Sequence, residues 1–141
     1  MTVTRTDYSV PAGGRLSEEV RLAFLSDLHG EDYGPGQAPL FEILNSFSPH
    51  AVLIGGDAYD ERRPWTKTSE TIRLCAERRP TFYTPGNHEA ETKKLNECCA
   101  DAEANGAVLL LGTSSLLEIG NSGDRILLCG AGDPRRRAEG Y

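Results

Sequence analysis

Val20-Arg-Leu-Ala-Phe-Leu-Ser-Asp-Leu-His-Gly30 opens as a short apolar run and breaks off into polar residues, the pattern of a buried strand running into a loop. The transition recurs twice. Ala51-Val-Leu-Ile54 closes on Gly55-Gly56-Asp57, and Thr81-Phe-Tyr-Thr84 closes on Pro85-Gly86-Asn87. Asp27 and Asp57 stand 30 residues apart, as do Asp57 and Asn87, so one strand–helix–strand unit separates each pair.

The stretches between carry helical patterns. Leu40, Phe41, Ile43, Leu44 and Phe47 recur at helical spacing before Pro49 stops the run. A second helix is expected over 68–79, where Ile72, Leu74, Cys75 and Ala76 supply the apolar positions. Beyond the third strand a polar helix is expected over 90–105, closed by Gly106, then a strand over 108–111. Residues 115–119 and 126–129 around Asn121-Ser-Gly-Asp124 read as a hairpin. The fold class is therefore α/β: a βαβαβ parallel sheet with right-handed crossovers at the N-terminal side, plus a following hairpin.

In such a sheet the ligand site lies beyond the carboxyl ends of the strands. Asp27 and His29 close the first strand, Asp57 the second, and Asn87 and His88 the third. Each has a bland explanation taken alone, since aspartate after glycines and Pro-Gly-Asn are common turn chemistry. Together they are costly ornaments at one sheet edge, with two of the three histidines among them. His50 enters a strand at the opposite edge and is expected at the surface. Carboxylates, an amide oxygen and imidazoles form a mixed ligand set that suits Mn²⁺, Fe or Zn²⁺ better than Ca²⁺. A carboxylate bridging two such ions gives a hydrolytic centre in which a shared water becomes hydroxide near neutral pH.

Composition limits the alternatives. A net charge of −6 offers no broad basic surface for nucleic acid, which leaves a small phosphorylated substrate open. No run reaches the roughly 18 apolar residues of a membrane span, and the polar segment before Val20 has no signal-peptide h-region. Four cysteines without CxxC spacing, two of them adjacent at Cys98 and Cys99, suit reduced thiols in the cytoplasm. Arg135-Arg-Arg137 reads as a solvated terminus.

Asp27-Leu28-His29, then Gly56-Asp57-Ala58-Tyr59-Asp60, then Gly86-Asn87-His88-Glu89 resemble the signature motifs of the calcineurin-like metallophosphoesterases. The stretches 49–57 and 83–89 and the later Gly130-Ala-Gly-Asp-Pro134 are similar to small bacterial phosphohydrolases of that family. The resemblance implies a layered metallophosphoesterase-type fold and two divalent metal ions (Mn, Fe or Zn). It implies that Asp27 and His29 ligate the first ion, that Asp57 bridges both and that Asn87 ligates the second. His88 would contact the phosphate and protonate the leaving oxygen, with Asp60 orienting its ring.

Two departures qualify the likeness. Phosphoprotein phosphatases of the family carry arginine directly after the second aspartate of the middle motif, where this chain has Glu61. Phosphoprotein substrates are thus disfavoured, although Arg62 or Arg63 is placed to reach in from the loop. The family also supplies three later histidines, and no residue after His88 is histidine. The expectation is the N-terminal portion of a single metallophosphoesterase domain over 1–141, without its C-terminal half. Its own donors would hold at most one ion weakly and support little turnover. The competing readings are a non-catalytic phosphoesterase-fold scaffold, which the intact ligand set disfavours, and a nucleotide-binding domain, which lacks any glycine-rich phosphate loop after a strand.

Overall fold

The computed structural model describes residues 3–132, so Asp133, Pro134 and the Arg135–Arg137 cluster lie outside the described residues. β1 (Leu22–Leu25), β2 (Ala51–Gly55), β3 (Thr81–Thr84) and β4 (Val108–Leu109) form a parallel sheet in the order β1-β2-β3-β4. The register sets Phe24 beside Leu53, Leu53 beside Phe82, and Ile54 beside Tyr83. β5 (Ser114–Ile119) and β6 (Asp124–Cys129) pair antiparallel.

Alternate residues along each strand feed two cores. Ala23, Val52, Ile54 and Tyr83 pack against helices α1 (Ala38–Phe47), α2 (Thr66–Ala76) and α4 (Leu95–Ala104) through Leu40, Phe41, Leu44, Ile72, Cys75, Leu95 and Cys98. Ala51 and Phe82 face the other way, onto Leu110, Leu117, Ile119 and Leu128. With both faces covered, β2 has no polar alternation to show, and this is why it reads as a continuous apolar run. Each fully buried aliphatic side chain such as Ile54 or Ile72 contributes about 1.5–3 kcal/mol. The hairpin's outward face leaves Leu116 and Leu127, paired across the strands, exposed.

Several features depart from the expected boundaries, α2 among them, which runs over Thr66–Ala76 rather than 68–79. α1 begins at Ala38 because Pro39 is tolerated in the first turn; it ends on Ser48 in the left-handed conformation, ahead of Pro49. The helix expected over 90–105 is instead two, α3 (Asn87–Glu91) and α4. Thr92 is extended at ψ 154°, and its hydroxyl donates to the Glu89 carbonyl at 2.9 Å and accepts the Lys94 N–H at 3.2 Å. That local bonding competes with helix continuation. β4 stops at Leu109, although the Leu110 N–H still reaches the Tyr83 carbonyl at 2.8 Å.

Two buried or half-buried polar side chains tie separate segments together. Gln37 is fully buried; its amide donates to Thr71 Oγ1 and the Glu31 carbonyl and accepts the Tyr33 N–H. His50 is half-buried, accepting the Arg21 N–H at Nδ1 while its own N–H bonds the Arg21 carbonyl. It therefore clips the entrances of β1 and β2 together, well away from their carboxyl ends. No helix among the described residues is long and apolar enough to cross a membrane.

Candidate metal centre

The loops leaving β1 and β2 are zipped by backbone hydrogen bonds: Asp27 N–H to the Gly56 carbonyl, His29 N–H to Asp57 and Gly30 N–H to Ala58, at 2.9–3.2 Å. To make that contact, Asp27, His29 and Asp57 adopt positive φ of 57°, 46° and 53°. Aspartate and histidine enter this region more readily than most residues, yet each still costs of order 1–3 kcal/mol. Three of the five such non-glycine residues among those described are candidate ligands, and strain of this kind collects at functional sites.

The loop leaving β3 arrives equally close. A Cβ on Gly86 would fall 2.2 Å from Asp57 Oδ1, and one on Gly56 would fall 2.8 Å from the Gly86 Cα. The glycines before Asp57 and Asn87 thus allow two backbones to touch where any side chain would hold them apart.

Glu89 locks this contact, and sequence reasoning assigned it no role. It is fully buried. One carboxylate oxygen accepts the N–H groups of Asp57 and Gly86, and the other those of Ala58 and Tyr59, at 2.7–3.0 Å. Hydrogen bonds to a charged acceptor are roughly twice as strong as neutral ones. The one signal in the sequence is its place three residues after Gly86, the capping-box spacing at a helix start. That spacing explains the Gly86 bond and leaves the three bonds to the β2 loop unforeseen. Beneath the loop, the Tyr59 hydroxyl donates to Asp101 Oδ2 at 2.8 Å, as does Ser69 at 2.7 Å. Burial, then the Asp101 carboxylate, pushes the Tyr59 hydroxyl well above the ordinary tyrosine range.

On this frame His29, Asp57 and His88 each direct one donor atom to a common place, all within 4.8 Å of one another. The two imidazoles meet edge to face, centroids 4.7 Å apart. Asp57 Oδ1 accepts the His88 backbone N–H at 3.0 Å, which fixes the carboxylate's orientation. Asp27 stands alongside with Oδ1 3.9 Å from His29 Nε2 and is mostly exposed. Asn87 is the first residue of α3, half-buried and next to His88. The His29 imidazole with the Asp57 carboxylate and the neighbouring Asp27 carboxylate suits a borderline divalent ion such as Mn²⁺, Fe²⁺ or Zn²⁺, so the residues present fit the group, and His88 brings its ring alongside them.

Asp60 behaves differently from the expectation that it orients His88. No ion pair joins the two among the described residues; the imidazole that Asp60 meets is His29, with Oδ2 4.0 Å from Nδ1. Its carboxylate is buried and gripped by Arg62, whose backbone N–H and Nε reach Oδ1 and whose Nη2 reaches Oδ2, at 2.8–3.2 Å. Those bonds hold the Asp60 carboxyl below the ordinary aspartate range. Arg63 is paired with Glu31. Both loop arginines are therefore engaged by carboxylates.

Residues 20–138 match the calcineurin-like phosphoesterase family. No curated protein matches the chain.

Proposed function

From the premise that this chain belongs to the calcineurin-like phosphoesterase family, a family of metal-dependent phosphoester hydrolases, we propose that it cleaves a small phosphorylated molecule, a phosphomonoester or phosphodiester, at the carboxyl edge of β1–β3. The observation that carries the reading is the convergence of His29, Asp57 and His88 donors within 4.8 Å on loops strained to bring them there.

Asp27 and His29 would hold a first divalent ion, and Asp57, together with Asn87 through its amide oxygen, would serve a second. Bound ions supply Lewis-acid charge at the phosphoryl oxygens and activate the attacking water. The chain's own residues do the rest. Asp57, oriented by the His88 N–H, keeps its second oxygen for the site. His88 donates the proton that the leaving oxygen takes up. The net charge of −6, with Arg62 and Arg63 both held by carboxylates, supports a small substrate over a polyanion. Free cysteines at all four positions are in keeping with the reducing cytoplasm.

The test is hydrolysis of aryl phosphate mono- and diesters with added Mn²⁺, alongside metal analysis after dialysis. Mn²⁺-dependent turnover that Asp57→Asn abolishes is expected. A rate that survives chelation, or one unchanged in Asp57→Asn, would remove the reading.

A further inference from the structure

We propose that Asp60, held rigid by Arg62, is the positioning carboxylate of His29, selecting the imidazole tautomer that offers Nε2 to a metal ion; the ligand half of this statement rests on the metal reading above.

Three observations carry it. First, His29 Nδ1 is buried and has no hydrogen-bond partner. A buried nitrogen of this kind is costly to leave unpaired, at about 1–3 kcal/mol. Second, the polar atom facing it is Asp60 Oδ2 at 4.0 Å, about 1 Å beyond an N–H···O bond. A small closure of the loop or one bridging water completes the contact. Third, Asp60 cannot rotate freely to serve another group. Its side chain is 8% exposed, and three bonds from Arg62 engage both oxygens, leaving Oδ2 with a lone pair still available on the side of His29.

The chemistry follows from the two ring nitrogens. A carboxylate at Nδ1 favours the Nδ1–H tautomer, because the N–H donates and the carboxylate only accepts. The lone pair is then confined to Nε2, the nitrogen that faces Asp27 Oδ1 at 3.9 Å. His29 and Asp27 thereby present their donors to one ion without a proton between them. Carboxylate–histidine–metal arrangements of this sort fix ring orientation and raise ligand basicity. Arg62 acts at one remove: its guanidinium is largely exposed, so its contribution is to hold Asp60 rather than to fill the site.

The experiment uses long-range ¹H–¹⁵N correlation spectra of the metal-free chain near pH 8, where an ordinary imidazole is neutral, and isothermal titration with Mn²⁺. Wild type should show His29 as the Nδ1–H tautomer. Asp60→Asn should shift that tautomer and weaken Mn²⁺ binding by about 10–100-fold, with Asp60→Glu restoring part of both. Arg62→Gln, at an exposed side chain, should give a smaller change in the same direction and serves if Asp60→Asn does not fold. A His29 tautomer that is Nε2–H in wild type, or that Asp60→Asn and Arg62→Gln leave unchanged, overturns the proposal. So does a response confined to His88. Failure of the wild type to bind Mn²⁺ would sink the metal reading, while the metal-free spectra would still decide whether Asp60 governs His29.

Discussion

Replacing Glu89 with glutamine changes one atom and removes the charge from a carboxylate that accepts four backbone N–H groups. The amide oxygen can keep two of those bonds at neutral strength. Its NH₂ must then face the other pair of donors, leaving two N–H groups unpaired in a fully buried place. Each unsatisfied buried donor costs about 1–3 kcal/mol, so the loss is about 2–6 kcal/mol, most of it in the region joining the β2 and β3 loops. Against a total stability of about 5–15 kcal/mol, that is a large fraction. The assay is urea unfolding followed by the single tryptophan, Trp65, whose ring packs against Tyr59 at 5.2 Å. Tyr59 itself donates its N–H to Glu89, so the probe reports on the affected loop. We expect a lower midpoint at unchanged m-value, while Glu42→Gln on the exposed face of α1 stays within about 0.5 kcal/mol of wild type. A Glu89→Gln change smaller than about 1 kcal/mol would refute the claim that this carboxylate locks the two loops.

Three further outcomes are expected. Gly86→Ala should drive a methyl group into Asp57, whose Oδ1 lies 2.2 Å from the added Cβ, and should lower Mn²⁺ affinity at least tenfold in a titration even where the protein still folds; unaltered affinity would show that the close approach is dispensable. His88→Asn should lower turnover by about 10²–10⁴ while metal content stays near normal, and loss of the ion together with the rate would reassign His88 as a ligand. In native protein only Cys129, which is exposed, should react quickly with a disulfide reagent. Burial pushes the Cys75 and Cys98 thiols up to about 12 and Cys99 to about 11, so little thiolate forms near neutral pH and those three should react only on unfolding.

The sequence alone determined the parts whose causes are local. The apolar runs before Asp57 and Asn87 are strands buried on both faces, the run before Asp27 is an edge strand that leaves Phe24 exposed, and their 30-residue spacing fits one crossover helix apiece. The same logic located the edge at which Asp27, His29, Asp57, Asn87 and His88 stand, since strands that run parallel end on the same side. The hairpin turn between Ile119 and Asp124 was likewise legible from its glycines. The contacts made between segments were settled by folding. Asp60 lies three residues from Asp57, and nothing in its neighbourhood along the chain says that it turns toward His29 under the grip of Arg62. Glu89 looks like a helix-capping residue until the β2 loop comes within reach of its second oxygen. In each case the side chain had several partners of comparable local merit, and the choice fell to whichever unpaired N–H or imidazole the folded loops carried into the interior, where leaving it unpaired is most costly.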